Sequence, residues 1–304
     1  MAIATPPTPS QTKPNGNDAA PVPTTPAPAP LWLCDVTKEP VAPDICLACA
    51  RNGRPGSCAF TPPILESLKS SMQSDSALRA IYSWAKQQDV TVLRVSSLTG
   101  CTRKTWYRLT QGTPLETPSR HWARLRGTIF HKALENMAEK SVLAEQRFIV
   151  DLRPWGVNAA IAGMVDHYDP VTRVLTDLKT MNAFKRLSSY PDLPHKHHIA
   201  QVWIYGWLLE KAEFGYPRKM EITYMTMGDI RTVPVGLPTP EGKQYVEARI
   251  VAKAKAIVEA DATLGPKGDA QADWECRYCL YKTACPDRRK TPPKPKKKKA
   301  RAKG

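Results

Sequence analysis

The sequence predicts a mixed α/β domain in which helices flank a central sheet. Along the middle of the 304-residue chain, apolar residues follow helical spacing, then alternate as in strands around a hairpin, then return to helical spacing. The hydrophobic fraction of 42% is sufficient for a core, whereas the 29 prolines cluster towards the two ends. The eight cysteines fall into two sets of four. This order of elements indicates an α/β core with cysteine-rich segments attached.

Both ends of the chain have the composition of disordered segments. Residues 1–30 are rich in Pro, Ala and Thr and lack apolar periodicity. Residues 288–304 contain ten Lys or Arg and no acid, so that only about +6 of the net charge of +16 belongs to the rest of the chain. The basic tail predicts a polyanionic partner such as nucleic acid, and a merely solvated tail is the alternative.

No targeting or membrane-spanning segment is expected. Residues 1–10 lack the basic start and the apolar stretch that are typical of a leader peptide. The longest apolar run, 199–209, is interrupted by Gln201 and is too short to cross a bilayer. We therefore expect a soluble cytoplasmic protein, in which the cysteine spacing favours metal binding over disulfides.

Five helices and five strands are predicted from the spacing of apolar residues. Ser97 is expected to cap the second helix and Ser119 the third, whose Leu125 and Ile129 should face the core. The predicted helices span 77–88, 97–107, 119–138, 195–213 and 240–262. The predicted strands span 147–152, 159–168, 173–180, 220–227 and 231–235. The second and third strands form a hairpin around a turn at residues 169–172.

Two acids and a lysine lie on this predicted hairpin. Counting outward from the turn places Asp166 opposite Leu175, with Asp177 diagonal to Asp166 on the same face. Diagonal positions are roughly 7–8 Å apart, which allows two carboxylates to share a divalent cation. Lys179 alternates back to the same face. Because like charges among apolar neighbours resist ionisation, a bound cation is expected, and a surface hairpin with a Lys–Asp pair is the alternative.

Several polar residues on helices are candidates for the same site. His131, on the helix before the strands, offers an imidazole ligand, although a histidine in this setting is more often a core residue. Glu135 lies one turn beyond His131 and is more often a surface residue. Gln201 and Tyr205 are four residues apart, so they share one face of the helix that follows the hairpin. Each of these features is weak when it is taken alone.

Taken in order, these residues resemble the motifs of the RecB-like PD-(D/E)XK nucleases. The family pattern is Gly-x-x-x-His, Gly-x-x-Asp, Asp-x-Lys and Gln-x-x-x-Tyr. The matching motifs here occupy residues 127–131, 163–166, 177–179 and 201–205. The resemblance covers about residues 95–287. It implies a restriction-endonuclease-like core, with a mixed central sheet flanked by helices, and nuclease activity.

The resemblance also implies roles for individual residues. The expected ligands of Mg²⁺ or Mn²⁺ are His131, Asp166, Asp177 and the Leu178 carbonyl. Lys179 would orient the attacking water and stabilise the negative charge that develops on the phosphate. Gln201 and Tyr205 would brace the site and contact the substrate backbone.

The C-terminal cysteines form a C-x₂-C-x₅-C set that lacks a fourth ligand. In the family, one upstream and three downstream cysteines hold a [4Fe–4S] cluster that staples the ends of the nuclease domain. The segment around Cys101 resembles the one that carries the upstream ligand. The cluster ligands implied here are Cys101, Cys276, Cys279 and Cys285. Zinc held by the same thiolates is the alternative.

The N-terminal cysteines lie in a segment, 31–62, that is too short for a core of its own. A C-x₂-C pair and two outer cysteines suffice for tetrahedral zinc, so structural zinc is expected and free thiols are the alternative. The expected ligands are Cys34, Cys46, Cys49 and Cys58. The family pattern does not require this module, which therefore departs from it.

The sequence thus predicts four regions and one activity. The regions are a disordered segment at 1–30, a zinc module at 31–62, a nuclease domain at 77–287 and a basic tail at 288–304. The expected activity is metal-dependent hydrolysis of DNA by a single-strand exonuclease, in recombination, repair or CRISPR spacer processing. Since no G-x-x-x-x-G-K-[ST] motif is present, a helicase or a recombination or CRISPR adaptation partner would supply unwinding. The alternative is a non-catalytic DNA-binding or scaffold subunit of a recombination complex.

Overall fold

The structure is a computed structural model of the chain. It describes residues 2–3, 31–53, 58–71, 76–137, 142–181, 187, 190, 192–226, 228–270 and 273–288. The helices are α1 Pro43–Arg51, α2 Pro62–Ser71, α3 Ser76–Gln87, α4 Val95–Thr99, α5 Thr102–Thr110, α6 Pro118–Met137, α7 Lys196–Lys211, α8 Pro240–Val258 and α9 Asp273–Arg277. The strands are β1 Ala2–Ile3, β2 Trp32–Leu33, β3 Pro40–Val41, β4 Thr91–Arg94, β5 Leu143–Asp151, β6 Ala159–Asp169, β7 Val174–Thr180, β8 Lys219–Met225 and β9 Ile230–Val235.

A mixed seven-stranded sheet runs through the described part of the chain. Its order is β1-β5-β6-β7-β8-β9, and β4 pairs with β6 off this path. β5–β6, β6–β7 and β8–β9 are antiparallel pairs, whereas β4–β6 and β7–β8 are parallel. β2 and β3 form a separate two-stranded sheet. The predicted α/β fold with a mixed central sheet is therefore confirmed.

One edge of β6 is shared by two strands, and this division creates a fork in the sheet. β5 pairs along nearly the whole of the opposite edge. On the shared edge, β4 pairs with residues 159–162 and β7 with residues 167–169. Residues 163–166 lie between these two stretches. Backbone groups at such a fork lack a regular ladder partner, so other groups must satisfy them.

The register of the β6–β7 hairpin differs from the prediction by two residues. Leu175 pairs with Tyr168, whereas Asp166 had been predicted as its partner, so that prediction was wrong. Arg173 adopts a left-handed conformation with φ 58°, and the turn is therefore longer than expected. Because strand side chains alternate with a period of two, a shift of two residues leaves each side chain on the same face of the sheet. It brings Asp177 to the position opposite Asp166.

Helices cover both faces of the sheet. The main core cluster lies between the sheet and α4, α7 and α8. Gly163 permits this close packing, since a Cβ there would lie 2.5 Å from Leu208 Cδ1 and 2.7 Å from Val95 Cγ2. On the other face, Ile81 of α3 packs in a cluster with Ala160 of β6. α6 contacts β5 and β7.

The predicted helix from Ser97 to Tyr107 is broken in two. The chain leaves the helical conformation at Gly100 and Cys101, between α4 and α5. Ser97 lies inside α4 and does not cap a helix, so the predicted boundary was wrong. Glycine is a weak helix former, and the break here makes Cys101 the N-cap residue of α5.

Helix α6 differs from its prediction in its first residue and in the burial of one of its two predicted core residues. The helix begins at Pro118, so Ser119 is in its first turn and not at the cap. The backbone N–H of Ser119 donates instead to Asp35 Oδ2 at 3.0 Å. Leu125 is buried as predicted, whereas Ile129 is 51% exposed and does not face the core. A side chain distant in sequence thus satisfies part of the helix N-terminus.

The N-terminal cysteine segment shares its core with the rest of the chain. Its apolar cluster consists of Trp32, Leu47, Phe60, Leu65, Leu68 and Leu125, the last three of which belong to α2 and α6. The segments predicted to be disordered lie outside the described residues except for β1 and Arg288, and their disorder stays a prediction. Among the residues described, no helix combines the length and hydropathy that a bilayer crossing requires.

Candidate active site

The fork in the sheet brings the two predicted acids together. The backbone N–H of Leu178 on β7 donates a 2.7 Å hydrogen bond to Asp166 Oδ2 on β6. The carboxylate thus takes the place of a ladder carbonyl where the two strands diverge. Both Asp166 and Asp177 are buried. The predicted pair is therefore assembled by the backbone of the sheet itself.

Asp177 is the least satisfied group of the site. It is 1% exposed, and neither of its carboxylate oxygens accepts a hydrogen bond of ordinary geometry. Burial raises its pKa, the ammonium of Lys179 acts in the opposite direction, and the charge of Asp166 raises the pKa further. Lys179 Nζ lies 2.6 Å from Asp177 Oδ2. Among the described residues, Oδ2 thus meets only this ammonium and Oδ1 has no donor, and such a carboxylate beside a second one is typical of a site that holds a cation.

His131 and Glu145 add ligands next to Asp166. His131 Nδ1 lies 2.8 Å from Glu145 Oε1 and 3.6 Å from Asp166 Oδ1. Ligand atoms of these three residues lie within 4.8 Å of one another. The carboxylates of Asp166 and Glu145 raise the pKa of His131 to about 10. Gly127 lets α6 approach β7, because a Cβ there would lie 3.2 Å from Thr180 Oγ1.

Glu145 is the member of the site that the sequence motifs did not reveal. The pairing of its neighbours places it opposite Asp166 across β5 and β6. Its backbone is left-handed, with φ 50°, which disturbs the alternation of β5. An acid shortly before the buried run 148–150 is the available signal, and it is a weak one. The side chain of Glu135, the other glutamate considered, lies outside the described residues.

The residues present fit a divalent cation. We refer to the group as the acidic centre, which consists of His131, Glu145, Asp166, Asp177 and Lys179. Carboxylate oxygens suit Mg²⁺ and Mn²⁺, and an imidazole is a better ligand for Mn²⁺ than for Mg²⁺. A cation would occupy the unfilled lone pairs of Asp177 and relieve the repulsion from Asp166. A cation beside an ammonium is an arrangement that can stabilise a phosphate as it gains negative charge.

Gln201 and Tyr205 lie on α7 beside the acidic centre. Gln201 Nε2 donates to Tyr205 Oη at 2.8 Å. Tyr205 is buried, and its pKa is raised well above the ordinary value by burial and then by the charges of Asp177 and Asp166. The phenol therefore stays protonated and keeps a hydrogen to donate. The sequence-predicted pair is thus brought to the two acids.

A second group of predicted residues lines a single pocket, which we refer to as the four-cysteine pocket. Its cysteines are Cys101, Cys276, Cys279 and Cys285. Tyr107 on α5 stacks on Tyr281 at a ring-centroid distance of 5.3 Å and donates to the Ala284 carbonyl at 2.9 Å. Burial raises the pKa of Cys285, and the nearby Cys101 contributes to the rise. Four free thiols around one pocket fit a thiolate-bound metal group.

The N-terminal cysteines also interact with one another. Burial raises the pKa of Cys46 to about 11, and the charges of Cys58 and Cys34 add to this effect. Cys49 is exposed. All four are free thiols in the structure. Because the other three thiols all act on Cys46, the four cysteines together are a donor set that a cation such as Zn²⁺ would stabilise as thiolates.

Comparison with known proteins agrees with this geometry. Residues 142–286 match the PD-(D/E)XK nuclease superfamily. This range contains Glu145, both acids of the hairpin, Lys179 and the three C-terminal cysteines. Over 160 residues the chain is 26% identical to the CRISPR-associated exonuclease Cas4 of Saccharolobus solfataricus, which covers 53% of this chain and 70% of that protein.

A solved structure shares the fold. The crystal structure of SSO0001 superimposes with a TM-score of 0.50 and 19% sequence identity, covering 75% of this chain and 95% of that one. Residues 142–286, which match the nuclease superfamily, contain β6, β7 and the acids that these strands carry. The similarity to the exonuclease extends over about half of the chain. Together, these findings show that residues 142–286 match the PD-(D/E)XK nuclease superfamily and that the chain is similar to Cas4 over about half of its length.

Proposed function

We propose that this protein hydrolyses phosphodiester bonds of DNA at the acidic centre with the help of Mg²⁺ or Mn²⁺. The observation that carries the proposal is Asp177, a buried carboxylate with unsatisfied oxygens that lies beside Lys179 and Asp166. The ammonium of Lys179 contacts one of these oxygens, and the other has no donor among the described residues. The nuclease superfamily match and the exonuclease relative support the same reaction class.

We assign the roles as follows. The cation would be held by His131, Glu145, Asp166, Asp177 and the Leu178 carbonyl. When bound, such a cation lowers the pKa of a coordinated water and polarises the phosphate. Lys179 stabilises charge on the phosphate oxygens and orients the water. Gln201 and Tyr205 would brace the site and contact the substrate backbone, since the two are hydrogen-bonded and the charges of Asp177 and Asp166 raise the pKa of Tyr205.

The narrower proposal is a single-strand exonuclease. The exonuclease activity in the name of the relative supports it. Recombination, repair and CRISPR spacer processing all fit such an activity, with a helicase or adaptation protein as partner. We further propose that the four-cysteine pocket holds a [4Fe–4S] cluster and that the N-terminal cysteines hold Zn²⁺.

End-labelled DNA tests the proposal directly. We expect wild-type protein to degrade linear single strands with Mn²⁺ at least as well as with Mg²⁺, and to be inactive with Ca²⁺ or a chelator. Asp177→Ala should abolish cleavage while the circular dichroism spectrum is retained. Glu259→Ala is the matched control, because Glu259 is an exposed acid that forms a surface pair with Lys255.

The substrate forms separate the remaining alternatives. An exonuclease leaves a circular single strand intact, and labels at the 5′ or the 3′ end give the polarity. RNA of the same sequence tests whether the protein cleaves DNA, RNA or both. Cleavage that survives thorough chelation, or wild-type turnover by Asp177→Ala, would overturn the mechanism. No cleavage with any cation would favour a non-catalytic DNA-binding or scaffold subunit.

A further inference from the structure

Two large aromatic side chains are exposed at the short helix that carries Cys276: Trp274 lies within α9, and Tyr278 follows its last residue. Trp274 is 48% exposed and Tyr278 is 66% exposed. The N–H of Tyr278 donates to the Trp274 carbonyl at 3.0 Å, so the two residues are one helical turn apart on the same side. Exposed aromatic faces next to each other are what stacks unpaired bases in single-strand binding proteins.

This aromatic pair, which we refer to as the α9 aromatic pair, begins beside the acidic centre. The ring of Trp274 lies 5.5 Å from the ring of His197, at the start of α7. The ring of His197 lies 4.1 Å from the ring of His198, and His198 Nδ1 lies 2.9 Å from Tyr224 Oη. Tyr224 on β8 pairs with Lys179 on β7. A row of contacting side chains therefore connects Trp274 with the strand that carries Lys179.

The surroundings of α9 carry cations on exposed side chains. Lys104, Lys282 and Arg288 line the four-cysteine pocket next to α9, and Arg277 is exposed on α9 itself. Glu275 lies on the same pocket wall, so cations outnumber acids there. Positive charge beside aromatic faces is complementary to a polyanion whose bases are free to stack.

We propose that Trp274 and Tyr278 are a stacking platform for the unpaired bases of a single-stranded nucleic acid that occupies the acidic centre. The proposal rests on the proposed function, and it adds the two residues that would recognise the unpaired bases of the single-stranded substrate. Bases within a duplex already stack on each other and present only their edges. A duplex would therefore gain nothing from these two rings, whereas a single strand would gain one stacked base on each.

Binding measured in the presence of a chelator tests the platform without cleavage. The probes are a fluorescent oligothymidylate and an abasic strand of the same length, which has the same phosphates but no bases. Trp274→Ala should weaken binding of oligothymidylate by about tenfold, and Tyr278→Ala by a similar or smaller factor. Both variants should bind the abasic strand as wild type does. Trp274→Phe should restore most of the loss.

A matched control and a cleavage assay keep the outcomes distinct. Tyr245→Ala removes an equally exposed tyrosine on α8 and should change neither affinity. Equal losses for both probes in Trp274→Ala, or no loss for oligothymidylate, would overturn the platform. If wild-type protein cuts no DNA with Mn²⁺ but the base-dependent loss is seen, then the proposed function fails while the platform stands. If cleavage occurs without a base-dependent loss, only the platform fails.

Discussion

The acidic centre and the four-cysteine pocket are assembled in different ways. In the acidic centre, neighbouring strands bring the acids together, and Asp177 Oδ1 has no hydrogen-bond donor among the described residues. The four-cysteine pocket joins Cys101 to cysteines about 175 positions later. Its walls are also joined by protein contacts, including the Tyr107–Tyr281 stack and an ion pair between Arg103 and Asp287 at 3.0 Å.

This difference indicates that a metal would serve chemistry at the acidic centre and stability at the four-cysteine pocket. At the acidic centre the scaffold is complete without the cation, so losing a ligand should remove chemistry and leave the fold. At the four-cysteine pocket the metal group would close a long loop, so losing a ligand should act mainly on stability. The predictions below test this division, starting with the largest expected effect.

Replacing Lys179 by Ala should lower the turnover of DNA cleavage by about 10²–10³-fold, because a positioned donor to a developing charge contributes that much in other enzymes. The melting temperature should change little, since the Asp177 scaffold is built by the strands. Lys255→Ala, which removes an exposed lysine, should leave turnover unchanged. A large loss of stability in Lys179→Ala would break the proposed division.

Replacing Cys101 by Ser should remove the brown colour and the iron of protein purified without oxygen. Closing a loop of this length stabilises a protein by about 2–4 kcal/mol, so the free energy of unfolding should fall by a similar amount. Activity should decrease indirectly, because the acidic centre lies inside the loop.

The N-terminal set supplies the matched control for this change. Cys49→Ser should retain the iron and lose only zinc, as measured by elemental analysis. Stoichiometric zinc and no iron in anaerobic wild-type protein would show that the four-cysteine pocket holds the alternative metal.

Replacing Glu145 by Gln should weaken Mn²⁺ binding by about tenfold while the maximal rate at saturating Mn²⁺ changes less. Glu145 contacts His131 and lies next to Asp166, so its loss should affect how tightly the cation is held. The described hydrogen bonds and ion pairs do not join Glu145 to Lys179, so the charge stabilisation by Lys179 should persist. Calorimetric titration measures the affinity. An unchanged affinity would remove Glu145 from the acidic centre.

Binding of Mn²⁺ should strengthen as the pH rises from 6 towards 9. The pKa of His131 is raised to about 10 in the metal-free protein, so a proton must leave before the imidazole can bind a cation. Each pH unit below that value should weaken the affinity by up to about tenfold. In the metal-free protein, the stability should change with pH in the opposite direction. Protonated His131 contributes fully to the free energy of unfolding below its ordinary pKa, and this contribution is lost as the pH rises through about 10.

Titrations in buffers that differ in ionisation enthalpy will count the protons released. His131→Asn should flatten the pH dependence of Mn²⁺ affinity. A pH profile of His131→Asn that matches the wild-type profile would exclude His131 as the source.

Deleting residues 288–304 should have the smallest effect, because the basic tail contributes none of the predicted ligands or catalytic residues. Affinity for single strands should fall, and the log–log salt slope should decrease by about 0.7 for each phosphate contact that is lost. Turnover at saturating DNA should be unchanged. An unchanged slope would show that the tail is merely solvated.

The sequence by itself determined the α/β class, most strands and helices, and the residues of the nuclease motifs. These follow from local periodicity and from residue types whose chemistry is fixed, such as two acids and a lysine near a predicted turn. The motifs are short and ordered, so they were readable without distances. The same holds for the two cysteine sets, whose spacing is visible along the chain although their metals stay predictions.

Only the tertiary structure decided the register of the hairpin, the break before Cys101 and the place of Glu145. Each depends on a backbone conformation that neighbouring segments impose: the left-handed Arg173 and Glu145, and the loop that docks Cys101 at its pocket. The carboxylate of Asp35, which accepts a hydrogen bond from the N-terminus of α6, likewise comes from far along the chain. Local propensities are too weak to fix such positions, because contacts distant in sequence select among local conformations that differ by about 1 kcal/mol.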